Sequence, residues 1–540
     1  MKRSKALSNK LQSAINEQKN RIGEINTYID FLKGKQYPRK PGRDEATFNI
    51  VHTTIQAILN SVMRGNSHIY VDPASSIAVE PAPVVERVIN YWWEKLDAKY
   101  QEELAVIDYA ALGMGIIYVD WDYETDENGK IVKDQPAILH VPYKDFLIDP
   151  RANAEEIDEA GFMVRSFIKN VKELKADKRY KNTKDISGDV KLAQDVFKTK
   201  DLAECVRLYQ IWVLNEGASY VMREGSDDIL RTVENKLGRE YPFELMQNYN
   251  MPDELWPFGE VKILFEPQKI LNRMFSLIMT HARRVSTRQY VANGQISDTE
   301  LRKLRDAKDG EVLKVEGNAK APDVVSPIQD APLSGDVYRA YELINGAIVQ
   351  LTSISEYRRS SMPQKQRKAT EAALIEQGTD LSVNSKAEDV TKHCEGVARK
   401  IFKLLKDDNN INMRELTYKD EKSGEWLTDN YNKDSFPGEY AFRWESGVEG
   451  PLNASARQQK SLSLLQTIAN ITRLNPDISR NLNWQELLKS ALAPFDLKNV
   501  DDILSPPEDM QEMPLNMPQG MPQGNVDPAL LDEVMANLNR

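Results

Sequence analysis

Cysteine is almost missing from this chain, with two in 540 residues. Cys205 and Cys394 cannot build the disulfide framework of a small secreted domain. Such sparse usage fits a reducing compartment, where both read as ordinary buried residues. Long apolar runs are missing too. No stretch approaches the ~18 residues of a membrane-spanning helix. The opening, Met1 to Asn20, is basic and polar, without the apolar centre of a secretory signal. Neither membrane insertion nor secretion by that route is expected.

Catalytic signatures are equally scarce. The histidines, His52, His68, His140, His281 and His393, follow no H-E-x-x-H pattern and no Cys/His spacing suited to zinc. There is no G-x-x-x-x-G-K-[ST] loop to cradle a triphosphate and no G-x-S-x-G nucleophile turn. Gly113-Met114-Gly115 lacks a third glycine and reads as close packing where a helix enters a strand. Glu124, Asp126, Asn128 and Gly129 align with the start of a calcium loop, but Gln135 then stands where the bidentate glutamate belongs. A polar hairpin turn is the better reading. With 82 acidic residues in the chain, chance pairs of carboxylates carry little information. No enzyme activity, metal or cofactor is expected.

The net charge is −11 and the sequence pI about 5.3. A protein that grips DNA along a broad surface is usually basic, because its affinity comes from neutralised phosphates. An acidic channel wall that keeps DNA from sticking is compatible with this balance. Hydrophobic residues at 41% allow most of the chain to fold, and its length suggests two to four structural units.

Periodicity divides the chain. Lys33, Lys35, Arg39, Lys40 and Arg43 surround Pro38 and Pro41, reading as a solvated basic helix and a turn. Residues 49–64 and 84–96 read as helices, the first with Ile50, Ile55, Ile58, Leu59 and Val62 on one side. Residues 112–149 read as β structure, with Asn128-Gly129 signalling a hairpin, and strands are expected at 205–214 and 218–222. A helix opened by Pro267 runs to Arg284 with Ile270, Met274, Leu277, Ile278 and His281 on one stripe. A short charged helix at 297–309, a strand at 311–315 and an extended loop at 321–335 follow. Asp336 caps a helix to about Tyr357 carrying Val337, Tyr341, Ile344, Ile348 and Leu351. A long helix spans about 368–406, with Val390, Cys394, Val397, Ile401 and Leu404 on one face and Gly378 as a weak point. Residues 416–444 read as a hairpin or small sheet turning at Gly424, and 454–474 and 484–492 as helices. From Ser505 the repeated Met-Pro-Gln-Gly marks a flexible tail, ending in a short helix after Pro528.

Several segments carry a family resemblance. Asn49-Ile50-Val51 leads into Ile69-Tyr70-Val71-Asp72-Pro73, an extended stretch in which Asn66-Ser67-His68 replaces the usual first proline. Val141-Pro142-Tyr143-Lys144-Asp145-Phe146 is followed by Asp149-Pro150. Glu266-Pro267-Gln268 leads through Arg283-Arg284 to Gly310-Glu311-Val312-Leu313-Lys314-Val315, and Lys368-Ala369-Thr370-Glu371-Ala372 opens the long helix. In this order, over most of residues 45–500, they resemble the portal (head-to-tail connector) proteins of tailed double-stranded DNA bacteriophages.

The resemblance implies an α+β, mainly helical fold with the portal architecture of wing, stem helices, clip and crown, assembled as a ring. The wing would be residues 1–265, the first stem helix 266–287, the clip 288–333 and the second stem helix 334–357. A tunnel loop (358–368), a long spine helix with a returning wing β segment (369–451), crown helices (452–504) and the tail (505–540) would follow. Such a ring, of twelve subunits in the family, is a channel at one capsid vertex for DNA packaging and ejection. Its partners would be double-stranded DNA, the terminase motor, head–tail adaptors, and the major capsid and scaffold proteins. Its place would be the portal vertex of the virion, and the host cytoplasm during assembly. Arg358, Arg359, Lys365, Arg367 and Lys368 would face DNA in the tunnel loop; the other readings are a solvated loop or arginines pairing with a neighbouring subunit. Arg288, Arg302, Lys303 and Arg305 would belong to the motor-docking clip. The alternatives are another ring-forming neck or tail adaptor, or a metal-dependent DNA-processing enzyme.

Overall fold

The structure, a computed structural model, describes residues 2–37, 47–63, 67–125, 131–153, 156–188, 205–252, 254–286, 290–292, 297–300, 302, 325–327, 334–352, 369–406, 414–419 and 426–445. The N-terminal helix α1 (Lys2–Leu32) is not the solvated helix its basic composition suggests. Leu7, Leu11, Ala14 and Ile15 fall at helical spacing and are buried in a core shared with Phe162, Tyr209 and Ile211. Further along, Phe31 lies 4.3 Å from Phe265 between ring centroids, and the Arg21 guanidinium sits 3.7 Å over the Trp256 ring. The helix is a strap across two cores.

Helix α2 (Ile50–Val62) starts where the Asn49 side chain accepts from the His52 N–H at 3.2 Å, satisfying one of the donors that a helix start leaves open. Strand β1 (His68–Pro73) and helix α3 (Ala82–Lys95), with Pro83 in its first turn, follow. Helix α4 (Ala98–Leu112) ends on Gly113 at φ +110°, a left-handed cap that only glycine adopts without strain.

The strands form antiparallel sheets. β2 (Met114–Thr125) and β3 (Ile131–His140) make the expected hairpin. They are followed by β4 (Phe146–Ile148), β5 (Phe162–Asn170), the short α5 (Val171–Ala176), β6 (Cys205–Val213), β7 (Ala218–Met222), β8 (Arg231–Glu234) and β9 (Phe243–Gln247). The strand orders are β3-β2-β9 and β4-β5-β6-β7-β8. Alternation divides β6: Tyr209, Ile211 and Val213 face the α1 core, while Val206 and Leu208 join a separate cluster with Val171, Leu174 and Ile186.

The second half is mostly helical. α6 (Glu260–Ser286) begins seven residues before Pro267, which lies inside the helix rather than opening it. β10 (Tyr290–Ala292) pairs with β11 (Val325–Pro327), inside what the sequence suggests is a plain extended loop. In α7 (Gly335–Thr352) Asp336 stands within the first turn, and the Ser334 hydroxyl accepts its N–H at 3.2 Å. Ser334, not Asp336, is the capping side chain. α8 (Ala369–Lys406) is one unbroken helix through Gly378.

β12 (Arg414–Lys419) and β13 (Trp426–Tyr431) form a hairpin. β14 (Tyr440–Glu445) leaves it and pairs with β1, Trp444 opposite Ile69. The main core gathers α2, α3, α4, α8 and the β3-β2-β9 sheet around Trp92, Tyr109 and Ile116, and Trp92 Nε1 donates to Tyr431 Oη at 3.0 Å. The expected helices at 454–474 and 484–492, and the tail, lie outside the described residues.

Candidate functional site

Helix α6 is two things in one. Its first half is rooted in the body, with Val261, Leu264, Gln268, Leu271 and Asn272 buried. A Cβ on Gly259 would overlap the backbone of Ala111, so only glycine lets α6 start this close to the end of α4. Pro267 has no N–H to give the carbonyl of Ile263. Just beyond it an uncharged network takes hold. Gln268 Oε1 accepts from Ile50 N at 3.0 Å, its Nε2 donates to the Phe48 carbonyl at 2.6 Å, and Asn272 Oδ1 accepts from Phe48 N at 3.1 Å. Asn272 also donates to Gln36. The backbone between α1 and α2 is thus fastened to the middle of α6.

From Arg273 to Arg283 none of α6 is buried. Ile270, Leu277 and Met279 are each nearly half exposed. Helix α7, which packs on α6, sets Tyr341, Ile344 and Ile348 against the main core and leaves Leu343 at 74% and Leu351 at 48% exposed. Between those leucines, Gly346 faces open space. Among the described residues, Ile270 and Leu277 on one side of α6 and Leu343 and Leu351 on one side of α7 are therefore exposed apolar pairs.

Helix α8 lies along β9, the free edge of the β3-β2-β9 sheet among the described strands. Val390, Cys394, Val397, Ile401 and Leu404 are fully buried, as their spacing predicts. Beside them runs a row of buried polar contacts. Lys386 Nζ lies 2.9 Å from the Glu260 carboxylate and 2.8 Å from Asn248 Oδ1. Tyr109 Oη donates to Asp389 at 2.8 Å. His393 Nδ1 lies 2.9 Å from Glu102 Oε2, with Nε2 3.2 Å from the Glu244 carbonyl. Lys400 reaches both the Glu244 carboxylate and the Phe243 carbonyl. Burial disfavours the His393 imidazolium, but the Glu102 carboxylate, together with the Glu244 carboxylate and carbonyl, outweighs it and raises the histidine above its ordinary value. Burial pushes the Cys394 thiol well up, which leaves it inert as a nucleophile. By covering β9 the helix closes an edge that would otherwise recruit another strand.

Of the basic residues singled out in the sequence, Arg302 is described, and it is exposed. Arg288, Lys303, Arg305, Arg358, Arg359, Lys365, Arg367 and Lys368 lie outside the described residues. Sequence reasoning missed the Gln268–Asn272 network and the row of ion pairs along α8. Only the recurrence of Lys386, Asp389, His393 and Lys400 at helical spacing hinted at the latter.

Among the described residues no cluster of His, Cys, Asp or Glu could hold a metal ion, and no helix is long and apolar enough to cross a membrane. Compared with known families, residues 128–536 match the model of the phage SU10 portal protein. The chain belongs to the phage portal protein family. The model of the phage P22-like portal protein also matches, over residues 10–241. No curated protein matches the chain. As a portal protein it has a structural role: a ring-shaped DNA channel at a capsid vertex, not a catalyst. The mixed, mainly helical architecture agrees with that assignment, and the alternatives of a neck or tail adaptor and of a metal-dependent DNA-processing enzyme give way to it. Membership brings an oligomeric ring and, in general terms, contact with DNA and terminase at the virion's capsid vertex.

Proposed function

We propose that the chain forms a twelve-subunit ring, with α6 and α7 as its stem helices, residues 288–333 as the clip and α8 as the spine. Residues 358–368 form the tunnel loop and residues 452–504 the crown. The terminase motor docks on the clip, around Arg288, Arg302, Lys303 and Arg305, and head–tail adaptors later replace it. Capsid and scaffold proteins surround the ring during assembly in the host cytoplasm. Arg358, Arg359, Lys365, Arg367 and Lys368 face the DNA, meeting its phosphate backbone without reading its sequence.

The observation that supports the ring is the pair of exposed apolar flanks, Ile270–Leu277 on α6 and Leu343–Leu351 on α7. Two different patches on one chain make a heterologous contact, and such contacts close into a ring when the rotation is right. Electron microscopy of the purified full-length chain should show twelvefold rings. The variant Leu277→Lys/Leu343→Lys should stay folded and lose them; rings that persist overturn the interface. Arg358→Glu/Arg359→Glu should keep rings and lose packaging, and normal packaging by that variant overturns the tunnel-loop role.

A further inference from the structure

The five-stranded sheet carries α1 on one face and residues 171–186 on the other. In the second layer Val171, Leu174 and Ile186 pack against Val206, Leu208, Val221 and Leu230. Between them the chain keeps a three-residue rhythm. Positions 171, 174, 177, 180, 183 and 186 are buried or half-buried, and each of the first five is followed by an exposed lysine: Lys172, Lys175, Lys178, Lys181 and Lys184.

This layer is held in place. Asp177 accepts from Lys169 and, through both its oxygens, from Arg179, each at 2.9 Å. Arg179 also reaches the Tyr123 carbonyl at 3.0 Å, and the Lys181 N–H donates to the Leu230 carbonyl at 2.7 Å. Asn182 takes a left-handed φ of 56°, a turn that asparagine tolerates. The network leaves the row strongly one-signed. Glu173 and Asp185 are the exposed carboxylates among residues 171–186, against five exposed ammonium groups, in a chain whose net charge is −11.

We propose that this lysine row binds the sugar–phosphate backbone of duplex DNA, at a surface independent of the channel. The choice of ligand rests on the portal assignment, which places the protein at a DNA-filled capsid vertex. The surface itself favours DNA over a protein partner. None of the large exposed apolar residues lies between 171 and 188, whereas protein interfaces are centred on aromatic or apolar anchors. The planar fork of Arg179 is engaged by Asp177, so the remaining cations are point charges on flexible stems. Those neutralise phosphates without base readout. Neighbouring lysines are at most ~10 Å of chain apart, and a duplex offers a phosphate every ~3.4 Å of axis on each strand, so one groove edge can engage the row.

The test uses assembled full-length protein and covalently closed circular duplex DNA, which cannot be threaded through a closed ring. The variant Lys172→Glu/Lys175→Glu/Lys178→Glu/Lys181→Glu/Lys184→Glu should bind at least ~10-fold more weakly at ~0.1 M salt. Its plot of log affinity against log salt should flatten by up to about 4.5, at ~0.9 for each of the phosphates the five lysines neutralise. Lysine-to-arginine changes at the same five positions should keep binding. A control with the same charge change at Lys5, Lys33, Lys35, Lys144 and Lys392, all exposed, should also bind normally. Unchanged binding by the glutamate variant, or an equal loss in the scattered control, overturns the proposal. So does normal DNA binding combined with failure to capture capsid or scaffold protein, which assigns the row to a protein partner. A wild-type chain that binds the circles but never forms rings refutes the ring reading instead.

Discussion

Lys386→Met, with Glu260 left in place, tests most directly how α8 is held to the body. The Glu260 side chain is fully buried and that of Lys386 7% exposed, at 2.9 Å. One Glu260 oxygen accepts from Tyr249 Oη at 2.8 Å, and the other has no hydrogen-bond partner among the described residues. Beside that hydroxyl, Lys386 is the cation that offsets the desolvation of the carboxylate. Methionine keeps most of the aliphatic packing, so the loss reports the ammonium group, its ion pair with Glu260 together with its hydrogen bond to Asn248. Stranding one partner of a buried pair costs about 3–5 kcal/mol, whereas replacing both with uncharged groups of similar volume is nearly neutral. Glu260→Gln/Lys386→Met should therefore cost about 1 kcal/mol or less, well below the sum of the two single variants, a coupling of more than about 2 kcal/mol between the sites. Hydrogen exchange at the α8 amides reads the local opening energy directly, and urea unfolding followed by tryptophan fluorescence reads the body around Trp92 and Trp256. A single-variant loss below ~1 kcal/mol, or a double variant that costs the sum of the singles, would refute the reasoning.

Two further outcomes follow from close packing and titration. Gly259→Ala should destabilise the unassembled chain by about 1–3 kcal/mol, because its Cβ meets the Ala111 backbone, which cannot step aside. Gly346→Ala, in open space on α7, should instead stabilise it by up to ~1 kcal/mol; thermal melts of the two variants check the opposite signs. His393 is raised in the folded state, so its pairing with Glu102 contributes fully below the unfolded value, about 6.5. That contribution is lost as pH rises through the folded value. The stability gap between wild type and His393→Gln should accordingly be widest in mildly acidic buffer and narrow toward alkaline pH.

Elements built on dense local signals were legible in the sequence. The α8 stripe from Val390 to Leu404 is apolar at every predicted position, and the β2–β3 hairpin has both strands and its turn residues in one window. The N-cap Asn49 sits immediately before the first apolar residue of α2. Elements that depend on distant partners were not legible. β14 pairs with β1 across most of the chain, and nothing local in Tyr440–Glu445 distinguishes that partner from the adjacent hairpin. The docked face of α1 rests on Leu7, Leu11, Ala14 and Ile15 among many lysines and asparagines, so composition masked it. Pro267 reads as a helix start because proline is most at home in a first turn. Here the helix begins earlier, since Gly259 and Glu260 are fixed by packing against α4 and α8 that no local pattern reveals.

The stripes on α6 and α7 carry a different lesson. Helical periodicity says that a face will be covered, not by what. Ile270 and Leu277, read as one side of an apolar stripe, prove to be among the most exposed large residues of α6, and Leu351 on α7 behaves likewise. Their amphipathic pattern is sound; in the proposed ring the surface that completes it belongs to another copy. Fully burying a Leu or Ile side chain contributes about 1.5–3 kcal/mol, and these residues, near half exposed, have roughly half of that still to gain each. The distal half of α6 has no buried residue of its own between Arg273 and Arg283. If α6 is covered by a neighbouring copy as proposed, its order is coupled to assembly, and hydrogen-exchange protection of residues 273–283 should rise with protein concentration as rings form.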